Sequence, residues 1–132
     1  KVSLQDFIKR GSGAHFIVRR LKEPLPSQAQ VKLRRETRRH LGKRYDPMLS
    51  WDDSRMYCSE LVWKVYKRAL GLEISPKVKI RDFAHVANGP VMWALKKAGS
   101  TGFDLSKIKW DESLVAPGTL LKSSALHTVY GN

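Results

Sequence analysis

The chain has a single cysteine, Cys58, in 132 residues, so no disulfide can form within it and packing rather than crosslinks must hold it together. That count leaves the redox compartment open. No apolar run nears the roughly 18 residues of a membrane-spanning helix. No signal peptide opens the chain, which begins at Lys1 on a helix-like segment, and earlier sequence is therefore expected ahead of it. There is no glycine-rich phosphate cradle. His15, His40, His85 and His127 show neither i, i+4 pairing nor clustered spacing, and Cys58 has no second cysteine, so neither a metal site nor a cofactor is expected. Acidic residues are scarce as well: 12 Asp+Glu face 25 Lys+Arg, for a net charge of +13 and a pI near 10.2. Such an imbalance attracts polyanions, and nucleic acid, an anionic membrane face or an acidic wall polymer would each satisfy it.

What is present is enough for one packed domain over 1–132, since 42% of residues are hydrophobic and four tryptophans need burial. Ser3 with Asp6 resembles a helix cap, followed by Leu4, Phe7, Ile8 and a closing Gly11. His15 to Leu21 is β-rich, with apolar residues on both faces as in an interior strand. Ser27 with Gln30 reads as a capping box for a helix to about Leu41, stopped by Gly42, with Leu33, Thr37 and Leu41 inward. Its other faces carry Lys32, Arg34, Arg35, Arg38 and Arg39, either a solvated surface or an anion-binding patch. No aromatic residue interrupts that run, so no base-stacking platform is indicated. Pro90 to Gly99 reads as a further short helix, and 114–118 and 126–130 as extended segments.

Everything chemical converges on Cys58. It opens the helical pattern of Leu61, Val62, Val65 and Ala69, closed by Gly71, and this spacing turns the sulfur inward with the apolar stripe. Asp52, Asp53 and Ser54 offer upstream caps, and a cysteine just after such a cap meets unpaired N–H groups and the positive end of the helix dipole, which favour thiolate. The competing reading is an inert, buried core cysteine. A nucleophile also needs a base and an orienting group, and spacing alone identifies neither.

The block Tyr57-Cys58-Ser59-Glu60-Leu61-Val62-Trp63, with Leu41 to Asp46 and Ser50-Trp51-Asp52-Asp53 ahead of it, resembles the YiiX-like branch of the circularly permuted, NlpC-type papain-fold cysteine hydrolases. The likeness extends over Leu4–Gly11, Phe16–Leu21 and Ser113–Pro117. It implies an α+β fold, papain-like and permuted, with a small antiparallel sheet packed against helices. It implies Cys58 as nucleophile of an amidase or peptidase acting through an acyl-enzyme on an amide of a cell-envelope or lipid-linked substrate. Tyr57, Glu60, Tyr45 and Trp51 would support the cleft, and the compartment would be the bacterial envelope or periplasm. The family's histidine strand and its neighbour should lie ahead of Lys1, and His15 does not inherit the base's role. Without them the chain alone should lack turnover. The alternative function is a non-catalytic basic module for nucleic acid or another anionic surface.

Overall fold

The computed structural model describes residues 2–11, 13, 15–84 and 109–131. The segment 90–99, expected to be helical, lies outside them. In order come α1 (Leu4–Lys9), β1 (Ile17–Leu21), α2 (Ser27–Arg38), β2 (Arg44–Tyr45), β3 (Arg55–Met56), α3 (Cys58–Leu70), β4 (Val78–Lys79), α4 (Ile80–Ala84), β5 (Ser113–Leu114), α5 (Pro117–Leu121) and β6 (Leu126–Gly131). Among the described residues the strands form three pairs: β1 with β6 and β4 with β5 antiparallel, and β2 with β3 parallel.

Local chemistry explains most of the boundaries. The Ser3 hydroxyl accepts the Asp6 N–H at 3.0 Å and starts α1 as the sequence requires. Gly71, at φ 71°, takes the left-handed conformation that ends α3. For α2 the expected capping box does not form. Pro26 is the N-cap, Ser27 is the first helical residue, and the Gln30 amide donates to the Leu25 carbonyl instead. The inward face of α2 is also rotated from expectation: Thr37 and Leu41 are exposed, whereas Glu36 and His40 are buried. The two face each other within the inward stripe, His40 Nε2 lying 3.3 Å from Glu36 Oε1. Pro117 begins a helical turn rather than extended chain, because proline suits a first helical position and the Ala116 carbonyl accepts from both Thr119 and Leu120.

Two apolar clusters form the core. Tyr57, Ile80, Leu114 and Ala116 form one, and Trp63, Ile74 and Val115 the other, with Trp51 packed against both. The Trp63 indole N–H donates to the Ser75 carbonyl at 2.8 Å, so the ring is buried without an unpaired donor. Among the described residues β1 pairs only with β6, and Ile17 is half-exposed, so the interior position expected for this strand is not seen there.

The β1–β6 pair carries one position with no room for a side chain. A Cβ at Gly131 would lie 2.8 Å from the Phe16 carbonyl oxygen and 3.2 Å from the Ile17 Cα, both backbone atoms that cannot swing away. Gly131→Val is therefore expected to lower stability by about 2 kcal/mol, read as a fall in the urea midpoint at constant slope. An unchanged midpoint would show that the pair opens at no cost.

Candidate active site at the start of the third helix

Cys58 is the first residue of α3, with Tyr57 as N-cap. Neither the aspartates nor Ser54 cap this helix; Asp52 instead accepts the Ser54 N–H at 2.7 Å and closes its own turn. The thiol is exposed, contrary to the inward stripe that periodicity suggested. Val62, one turn on, is exposed too, and the buried positions are Ser59, Glu60, Trp63, Lys64 and Val65.

The residues beside Cys58 explain its direction. The Tyr57 hydroxyl accepts the Val115 N–H at 3.2 Å, and the Ser59 hydroxyl donates to the Val115 carbonyl at 2.7 Å. Both flanking side chains thus grip the backbone of one buried residue, Val115, in the β5–α5 connection. With Tyr57 and Ser59 turned inward, the residue between them faces out. Burial pushes the Tyr57 phenol far up and keeps it protonated, with the Val115 bond opposing and the charge of Glu60 adding to the rise.

Glu60 is fully buried. One oxygen accepts the Tyr57 N–H at 3.3 Å, the half of a capping box that satisfies the N-cap amide, and the other meets Lys64 Nζ at 2.6 Å. Burial raises this carboxyl above its ordinary range, while Lys64 and the Tyr57 amide pull the other way. Lys64 also reaches the Asp52 carbonyl at 3.1 Å and Asp53 Oδ1 at 2.9 Å, and it lies 4.8 Å from the Trp51 ring centre. One buried ammonium thereby joins the first turn of α3 to the loop before it. The sequence carried a signal for this pair in the i, i+4 spacing of Glu60 and Lys64. It carried none for Ser59 and Val115, which meet across 56 positions.

Tyr45 is brought in by the parallel pairing of β2 with β3, which sets it opposite Met56, two residues before the thiol. Its ring is exposed, but its hydroxyl is crowded enough that desolvation raises the phenol, and the charges of Cys58 and Asp46 push the same way. The phenol therefore keeps its proton beside the sulfur. Asp46 holds the turn: its carboxylate accepts from Met48 N–H at 2.9 Å and Ser50 N–H at 2.6 Å, and its own N–H donates to the Met56 carbonyl. Trp51 packs edge-on to Trp63 at 5.4 Å and against both clusters, and its backbone N–H donates to the Glu112 carboxylate at 2.8 Å.

Residues 1–130 match one family, described as the permuted papain-like amidase enzymes, YaeF/YiiX, C92. The chain belongs to that family. It is 35% identical over 126 residues to YiiX of Escherichia coli (strain K12), covering 96% of this chain and 59% of that protein. It also superposes with a TM-score of 0.82 on the crystal structure of the metalloprotein YiiX from Escherichia coli O157:H7, at 35% identity, covering 98% of this chain and 68% of the other. The chain thus spans about three fifths of the curated relative. The α+β class and the permuted papain-like assignment expected from the Tyr57–Trp63 block hold.

The loop ahead of the helix offers a pH test of this arrangement. Arg68 and then Lys64 hold the Asp53 carboxyl well below the usual carboxylate range. A carboxyl with a depressed folded-state pKa contributes stability above its unfolded value and loses it as pH falls toward the folded one. Asp53 is half-exposed, so solvent screening keeps its gain to about 1 kcal/mol. Asp53→Asn should cost that much at pH 7, and its gap to the parent should close as pH falls below about 4. Urea melts at several pH values measure this, and a gap of equal size throughout would contradict the pairing.

Proposed function

We propose that the protein is a cysteine amidase acting through an acyl-enzyme, with Cys58 as its nucleophile and an amide of a cell-envelope or lipid-linked compound as its substrate. The observation that carries this reading is the outward-facing thiol at the first position of α3, held there by Tyr57 and Ser59 and neighboured by Tyr45. The sulfur attacks the amide carbonyl carbon, the C–N bond breaks as the amine takes a proton, and water then hydrolyses the thioester to release the acid. The first amides of α3 have no carbonyl to meet within the helix, and in this reading they and the protonated Tyr45 hydroxyl would donate to the developing oxyanion. Glu60 and Trp51 act through the framework, by fixing the first turn and the loop before it.

Among the described residues no histidine hydrogen-bonds the thiol: His15 and His127 are exposed, and His40 is turned onto Glu36. In this reading the base is a histidine from outside them. A metal does not fit the residues at hand. No three His, Cys, Asp or Glu side chains converge among the described residues, although the solved relative is called a metalloprotein. The second reading, a basic module without catalysis, is favoured by the charge on α2 and would be independent of the thiol.

Cys58→Ala in the full-length protein is expected to abolish amidase turnover while changing stability by less than about 1 kcal/mol, because the side chain is exposed. The parent thiol should alkylate in the native state, and the 132 residues alone should alkylate without turning over. Undiminished turnover in Cys58→Ala, or alkylation only after denaturation, would remove Cys58 from the mechanism.

A further inference from the structure

The second helix presents two faces of opposite character. Ala29, Leu33, Glu36 and His40 recur at i, i+4, i+7 and i+11 and turn inward, where α2 packs against α3. Directly opposite, Val31, Arg34, Arg35 and Arg38 recur at i, i+3, i+4 and i+7, and all four are exposed. Between Ser27 and Tyr45 there are seven Lys or Arg and one acidic residue, Glu36. Glu36 is buried and pairs with Arg39 at 3.0 Å, so among the described residues the outer arginines have no carboxylate within reach.

The cationic surface does not stop with the helix. The chain passes through Lys43 to Arg44, and the parallel register of β2 and β3 sets Arg44 beside Arg55, both exposed and neither paired with an acid among the described residues. Like charges opposite one another cost stability unless an anion lies between them. Arg55 is three residues before Cys58. The basic track thus runs from the outer face of α2 to the approach of the thiol helix.

We infer that this track docks the protein on an anionic lipid bilayer, with α2 lying along the headgroups. Electrostatics alone would accept any polyanion, and two apolar side chains decide for lipid. Val31 is 60% exposed on the face of the arginines, one turn ahead of Arg34 and Arg35, and Leu41 is 75% exposed just beyond them. A bilayer takes such residues into its headgroup–acyl boundary while its phosphates pair with the guanidinium groups. A nucleic-acid backbone has no use for either residue, and no aromatic side chain between Ser27 and Arg44 is present to stack on bases.

The test is cosedimentation of the full-length protein with vesicles of phosphatidylcholine alone or mixed with phosphatidylglycerol, across a salt series. Binding is expected only to the mixed vesicles. The Arg34→Gln, Arg35→Gln, Arg38→Gln variant should bind on the order of 100-fold more weakly, each arginine near an anionic surface contributing about a factor of five. Val31→Ser with Leu41→Ser leaves the charge unchanged and should still weaken binding severalfold. An unaltered circular dichroism spectrum and unaltered Cys58 alkylation show that each variant is folded. Absence of binding to mixed vesicles, or binding indifferent to the arginine changes, overturns the inference. Binding indifferent to the serine pair and displaced by duplex DNA overturns it in favour of nucleic acid. Cys58→Ala should retain vesicle binding, so loss of the amidase reading and loss of this one are separate outcomes.

Discussion

The hold that Tyr57 and Ser59 take on the Val115 peptide is the constraint from which the site follows. Val115 is fully buried at the junction of β5 and α5, where its N–H and carbonyl would otherwise lack partners in an apolar setting. Two side chains separated by one residue supply both bonds. That fixes the rotation of the first turn of α3, and a helix whose first turn cannot rotate has a fixed outward residue. Cys58 is that residue. Its exposure reflects the requirement of its neighbours rather than any preference of sulfur, which by itself favours the interior.

The rest of the first turn is held by charge. Burying Glu60 and Lys64 costs desolvation of both, and attraction alone rarely repays it. Here further bonds offset part of that cost: the carboxylate also receives the Tyr57 amide on its other oxygen, and the ammonium also reaches Asp53 and the Asp52 carbonyl. The gain lies in geometry more than in stability. An apolar pair of similar volume would pack as well, but it would leave the Tyr57 amide unmet and the loop before Cys58 untethered.

The sequence made the thiol legible because one cysteine stood in a distinctive block at a helix start. It made the direction of that thiol illegible because the buried stripe is polar. Periodicity searches for apolar residues; it found Val65, which is buried, but Ser59, Glu60 and Lys64 on the buried face read as solvent. The same blindness misplaced the inner face of α2, where Glu36 and His40 are buried in place of Thr37 and Leu41. Glycine and proline punctuation was legible at Gly71 and Gly11 and misread at Pro117, where proline opens a helical turn. Tyr45 was legible only through family resemblance, since a two-residue parallel pairing with Met56 leaves no local pattern.

These polar interiors bear on the surface charge as well. Of the few carboxylates, Glu36, Asp46 and Glu60 are buried, and each is occupied by groups inside the molecule: Arg39 and His40, the amides of the turn at 46–50, and Lys64. An acid turned inward neutralises little of the field outside. The exposed surface is therefore more cationic than a net charge of +13 spread evenly would make it. Along α2 the effect is greatest, because its one carboxylate lies on the face that packs against α3. The construction that steadies the thiol helix and the construction that leaves arginines unpaired are two sides of the same helix. A change that returned Glu36 to the surface would weaken both, by loosening the α2–α3 contact and by placing a negative charge among the outer arginines.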